Sequence, residues 1–180
     1  MTKKFVQGSL IVLFLFSCQY AHSQVLNFDH GEVEFYTSSI LSDIEASSEE
    51  IQATIDLQTK QVDITIPIES FEFEYEMMQD HFNEEYMESD KYPNATFQGT
   101  ISEDISNLSA VKEVSVAGQL TIHGVTKESS FKAQLSKKDE FTMVKCKFTI
   151  VFSDYDVDEP SILTKSVAKD VEMKSTLYLK

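Results

Sequence analysis

The chain has no arginine and no tryptophan, and only five glycines, three prolines and two cysteines among 180 residues. Each shortage excludes something. Without arginine there is no planar guanidinium fork, the group that grips phosphates in a bidentate way. Fifteen lysines face 30 acidic residues, for a net charge of −15. A chain so acidic is repelled by nucleic acid and by anionic membrane surfaces, so nucleic-acid partners are set aside. The few glycines form no phosphate-cradling loop, and no serine occupies a G-x-S-x-G elbow. The four histidines (His22, His30, His81, His123) lack H-x-x-x-H or H-x-H spacing, which argues against a zinc site. Asp154-x-Asp156-x-Asp158 opens like a calcium loop. Glu159 then stands where glycine is needed, and Lys165 where a bidentate glutamate is needed. Neither a metal nor a cofactor is expected.

Lys3 and Lys4 precede the apolar run Leu10–Phe16, which is too short to cross a bilayer as an ordinary helix. Ala21-His22-Ser23 fits a small-x-small cleavage pattern. Residues 1–23 are therefore expected to be a secretory signal, leaving Gln24 first and no transmembrane segment behind it. Leu15-Phe16-Ser17-Cys18 supports an alternative, a loose lipobox in which Cys18 carries a lipid anchor. The bulky Phe16 weakens that match. A periplasmic or secreted protein is preferred over a membrane-anchored lipoprotein.

Removing 23 residues from 180 leaves 157, a length that suits one domain over 24–180. Two lysines go with the signal, so 13 face the 30 acids and the balance becomes −17. Cys146 is then the only cysteine, and a monomer has no internal disulfide. It sits on the period-two face Val144, Cys146, Phe148, Ile150, Phe152, which reads as a buried small hydrophobe.

Period-two alternation dominates the rest. Val33 and Phe35 lie in one such run. Ile51, Ala53, Ile55 and Leu57 turn at Gln58-Thr59-Lys60 into Val62, Ile64, Ile66 and Ile68, the clearest hairpin in the chain. Further strands are expected at 95–101, 114–122, 125–135, 141–152 and 171–179. Residues 102–110 read as a loop and His123-Gly124 as a turn. About eight strands with short connections and no βα repeats predict an all-β fold, an antiparallel barrel able to hold side chains or one small ligand.

One segment breaks the alternation. In residues 71–97, Phe71, Phe73 and Tyr75 share a strand face, after which Met78, Phe82 and Tyr86 recur at helical spacing beside Met77 and Met87. Tyr92-Pro93-Asn94 ends that segment. A short amphipathic helical insertion in a β chain needs an apolar surface to cover, here one end of the barrel. Met77, Met78, His81, Phe82 and Tyr92 are the expected residues of that lid or mouth.

Three motifs resemble those of the YceI-like family. They are Met77-Met78-Gln79-Asp80-His81-Phe82-Asn83 with Asp90-Lys91-Tyr92-Pro93-Asn94-Ala95-Thr96-Phe97; then Gly118-Gln119-Leu120-Thr121-Ile122-His123-Gly124-Val125-Thr126-Lys127; and the run from Phe152-Ser153-Asp154-Tyr155 to Pro160. The likeness spans about residues 29–180. It implies an exported, lipocalin-like barrel that binds long isoprenoid chains, such as polyprenyl quinones or polyprenyl phosphates, in its apolar interior.

Strand phase nominates the wall: Phe35, Ile55, Ile64, Ile66, Phe71, Phe73, Phe131, Phe148, Ile150 and Phe152. The expected function is a binding protein without catalysis, carrying an isoprenoid quinone, prenol or acyl lipid. A net charge of −17 without arginine favours a neutral head over a phosphate, with Lys91, Lys127 and Lys132 the candidate cations. Two alternatives stand beside this. One is a structural barrel with a filled core. The other is an enzyme, whose titratable pair would be His81 with Asp80, Glu84 or Glu85. The oligomeric state, a homodimer included, is open.

Overall fold

The computed structural model describes residues 25–37, 43–157 and 170–180. The expected signal, Cys18, Asp158 and Pro160 lie outside these. Ten strands form one antiparallel sheet: β1 Val25–Thr37, β2 Ile44–Ser48, β3 Gln52–Asp56, β4 Gln61–Pro67, β5 Glu72–Phe73, β6 Asn94–Ile101, β7 Lys112–Ile122, β8 Val125–Lys138, β9 Phe141–Val151 and β10 Asp170–Leu179. The order β1-β3-β4-β6-β7-β8-β9-β10 returns to β1 through a β1–β10 ladder, closing an eight-stranded barrel. β2 follows β3 along the same edge of β1, and β5 pairs with β2. Closure removes most of the free sheet edge, which an open sheet of this size would expose.

Local chemistry explains the turns. At the lower end, the Asp56 carboxylate accepts the Gln58 and Thr59 amides at 2.8 and 2.9 Å, and Lys60 adopts the left-handed region (φ 63°) to enter β4. At the upper end, His123 and Gly124 both have positive φ (50° and 74°) between the paired residues Ile122 and Val125. That is the two-residue turn whose twist suits a hairpin. Gly124 is needed twice over, since a Cβ there would meet the Tyr92 ring at 2.5 Å. Midway along the wall Gly99 pairs with Gly118, where a Cβ on Gly118 would lie 2.1 Å from the Gln98 carbonyl oxygen. Two facing glycines let β6 and β7 approach closely enough to coil.

The lower end is packed. Ile101, Val114, Leu135 and Leu179, with Ile105 from the 102–111 loop, are each 1% exposed. Glu103 holds that loop by accepting the Ser115 amide at 2.7 Å, and the Lys60 ammonium donates to the Ser102 carbonyl at 3.0 Å. The upper end carries α1, Glu76–His81, which widens into a π-helical turn, Phe82–Tyr86.

Two expectations need correction. Strand β2 was not expected at all. The 71–75 run forms only the two-residue β5, and Tyr75 leaves the Phe71 face to become 55% exposed. The 3-10 turn Ile68–Ser70, whose Ile68 carbonyl accepts the Phe71 amide, spends the residues that would have continued the strand.

Candidate functional site

The barrel interior holds a cavity of about 160 Å3. A water needs roughly 10–15 Å3 of such space, so this equals on the order of ten waters, or an apolar chain of about ten carbons. The wall is built by rows of inward residues that the ladders hold side by side. One row is Ala53, Ile64, Phe97, Leu120, and another is Phe148, Met173, Phe35. Among the lining residues the hydroxyls of Thr96 and Ser175 and the thiol of Cys146 are the polar side-chain groups, and none carries a charge. The Cys146 thiol donates to the Lys132 carbonyl at 3.3 Å, and burial pushes its pKa up to about 11.

Of the residues expected on the wall, Phe35, Ile55, Ile64, Ile66, Phe71, Phe131, Phe148, Ile150 and Phe152 line the cavity. Phe73 does not. Its ring packs instead against Phe35 and Phe82, with centroids 5.5 and 5.0 Å apart. Phe97, Leu120 and Ile122 also line the cavity and were not nominated, although the phase of their strands already pointed inward.

The helical segment covers the upper end differently from its expected stripe. Phe82 and Met87 are buried and reach the cavity. The Met87 amide donates to the Phe82 carbonyl at 2.8 Å, five residues back, so the wider turn aligns these two rather than Met78, Phe82 and Tyr86. Met77 is 66% exposed, Met78 lines an outer groove beside Glu45, Glu72 and Tyr75, and His81 is partly buried without touching the cavity. Phe82 stacks on Phe35 at 5.5 Å and meets Phe71 at 5.9 Å, which fixes the segment to β1 and to the residues before β5.

Polar residues ring this end. Tyr92 packs edge-on against His123, centroids 4.4 Å apart. His123 Nε2 lies 2.9 Å from Glu88 Oε2, and Nδ1 lies 3.3 Å from the Tyr155 carbonyl oxygen. Both partners are acceptors, so each bond needs the proton on the nitrogen facing it. The ring thereby joins the β7–β8 turn to the helical segment and to the 152–157 turn. The three candidate lysines do not converge. Lys91 pairs with Glu88 at 3.7 Å, Lys127 with Asp154 at 3.3 Å and Lys132 with Glu113 at 3.1 Å. Among the described residues no three of His, Cys, Asp and Glu converge to hold a metal, and no helix is long and apolar enough to cross a membrane.

The YceI-like domain matches residues 17–179. The chain belongs to the YceI-like family. Solved structures show the same YceI-like barrel. A polyisoprenoid binding domain from Saccharophagus degradans, implicated in plant cell wall breakdown, superposes with a TM-score of 0.75 at 14% identity, over 86% of this chain and 97% of that one. BcnA of Burkholderia cenocepacia gives 0.69 at 19% identity, over 82% and 95%. The YCEI protein of Campylobacter jejuni gives 0.52 at 18% identity, over 100% and 99%. No curated protein matches the chain.

Proposed function

We propose that this protein is an exported, non-catalytic carrier of a single-chain apolar lipid of the isoprenoid class, held in the barrel. The observation that carries the reading is the interior itself: a closed barrel with open space, walled by aliphatic and phenylalanine side chains and free of charge. The Saccharophagus degradans domain, described as polyisoprenoid binding, has the same fold and supports it. Export rests on Lys3, Lys4, Leu10–Phe16 and Ala21-His22-Ser23. The absence of chemistry is supported by the wall, whose one titratable side chain is a thiol held well above neutral pH.

Magnitudes narrow the ligand. Each buried CH2 is worth about 0.8 kcal/mol, so the roughly ten carbons that fit the open space contribute about 8 kcal/mol. Association costs of about 4–15 kcal/mol consume much of that. Tight binding therefore requires a longer chain, with phenylalanines of the wall moving aside to admit it. The head is neutral, a quinone or prenol rather than a phosphate, because Lys91, Lys127 and Lys132 each already face a carboxylate.

The test is native mass spectrometry of protein purified from its own host without detergent, followed by organic extraction. A stoichiometric adduct recovered as a neutral prenyl lipid is the expected result. An apo mass that persists after incubation with quinones and prenols would overturn the carrier reading in favour of a filled structural barrel. Preference for prenyl phosphate over the matching prenol would overturn the neutral head alone.

A further inference from the structure

The barrel wall is not evenly sewn. β7 and β8 pair from Lys112↔Leu135 to Ile122↔Val125, and β9 and β10 pair from Thr142↔Leu179 to Val151↔Asp170. β8 and β9 pair only from Lys138↔Phe141 to Ala133↔Cys146. Above that last pair, residues 125–132 and 147–151 face each other without a ladder. Five residues of strand make the gap about 17 Å long. Its upper margin is closed by the Lys127–Asp154 ion pair at 3.3 Å and by buried Tyr155, whose carbonyl oxygen faces His123. The rings of Phe131 and Phe148 meet across its base, centroids 4.2 Å apart, and both line the cavity.

The other interruption of the wall is sealed. Between the two stretches of β1 that pair with β3 and β2, Ile51 is buried, and the Ser48 hydroxyl bonds both Ser70 and the Glu50 amide. The β8–β9 gap has two side chains as its plug and backbone edges on both flanks. Unladdered N–H and C=O groups seek hydrogen-bond partners. Two inner-face residues of β8 beside the gap are polar, since Lys127 pairs with Leu120 and Ser129 with Gly118 in the rows that face inward.

We infer that the upper β8–β9 seam is a lateral portal. A prenyl chain enters sideways by displacing Phe131 and Phe148, and its polar head stays in the slit against the strand edges, Ser129 and Lys127. This rests on the carrier reading and adds a route to it. A slit suits the ligand, because a long flexible chain threads through an end opening only tip first, whereas a slit admits it along its length. It also resolves the shortage of enclosed space, since the part of the chain that exceeds the cavity lies in the slit. The helical segment at the upper end then remains in place, fixed by its phenylalanine stack and by Glu88.

The test locks the seam. In a Cys146→Ala background, Ser130→Cys and Thr149→Cys place two thiols on the outer face where the β8–β9 register would continue. They are oxidised to a disulfide, which a reductant reopens. Uptake of geranylgeraniol from phosphatidylcholine vesicles is then timed with the bridge closed and open. The expected result is uptake slowed roughly tenfold or more when locked and restored by reduction, as for any gated step whose gate is held shut. Equal rates in both states would overturn the portal and leave the carrier reading intact. No uptake in either state, with unbridged wild-type protein also inert, would overturn both. A second readout needs no variant: amide exchange of the native protein with and without geranylgeraniol. Protection centred on residues 126–132 and 147–151 is expected, and protection confined to residues 76–92 would place entry at the helical end and overturn the portal.

Discussion

The two halves of the β8–β9 seam are held in different ways. Below Ala133↔Cys146 the strands are laddered, and Leu135 on the inner face is 1% exposed. Above it the ladder stops, and Phe131, Phe148 and Phe152 keep part of their surface open towards the cavity. Alternation runs through β9 on both sides of the divide, whereas β8 carries Lys127 and Ser129 on its inner face above it. Residues from both halves line the cavity, but only the laddered half holds its two walls together by backbone bonds. Above it the walls meet through the Phe131 and Phe148 rings.

The strongest way to break this comparison is a pair of truncations. Leu135→Ala removes a side chain from the closed half and is expected to cost about 3 kcal/mol in denaturant unfolding. Phe148→Ala removes a larger side chain that is only partly buried, and is expected to cost less, about 1–2 kcal/mol, because less packing is lost. An equal or greater loss for Phe148→Ala would mean that the upper half is ordinary core. A finer probe is Cys146, which sits at the last laddered pair. With its thiol raised to about 11 by burial, alkylation should be slow at neutral pH. The rate should climb about tenfold per pH unit towards that value, since the thiolate is the nucleophile. A bound prenyl lipid should suppress the rate, and no change on loading would separate the cavity from the ligand. Raised in the folded state, this group adds stability that is present below its unfolded pKa and is lost as pH rises through about 11. The smallest effect concerns the loop beneath the closed end. Glu103 is held below the usual carboxylate range, chiefly by the Ser115 amide. Its contribution is present above the ordinary glutamate range and is lost as pH falls through the lower folded value. Glu103→Gln should flatten the acid side of the stability profile slightly while leaving lipid uptake unchanged.

Much of the barrel was readable residue by residue. Ile55 and Val62, flanking Gln58-Thr59-Lys60, signalled their hairpin, and they pair as expected. His123-Gly124 signalled a turn, and its two positive φ values explain why those residue types suit it. Ile44–Ser48 was missed because Ser47 and Ser48 blur its alternation, and its strand identity comes from lying along β1. Ile105 lies in a stretch whose polarity reads as a loop. It is buried because that loop folds beneath the barrel, a long-range event with no local signature. An ideal helical repeat puts Met78 in line with Phe82 and Tyr86, with Met77 beside it, whereas the π-helical turn shifts the inward position to Met87.

Taken alone, the sequence determines which side chains of each strand share a face, because the period of two is set by the backbone of a single strand. It also determines the charge that disfavours anionic partners and the turns that demand left-handed residues. The tertiary structure decided what pairs with what. Whether β8 and β9 stay laddered for six residues or for their whole length depends on neighbours far along the chain: β7, β10 and the 152–157 turn. Where the ladder stops and the slit begins is therefore written in neither strand, because register and closure are properties of two strands together.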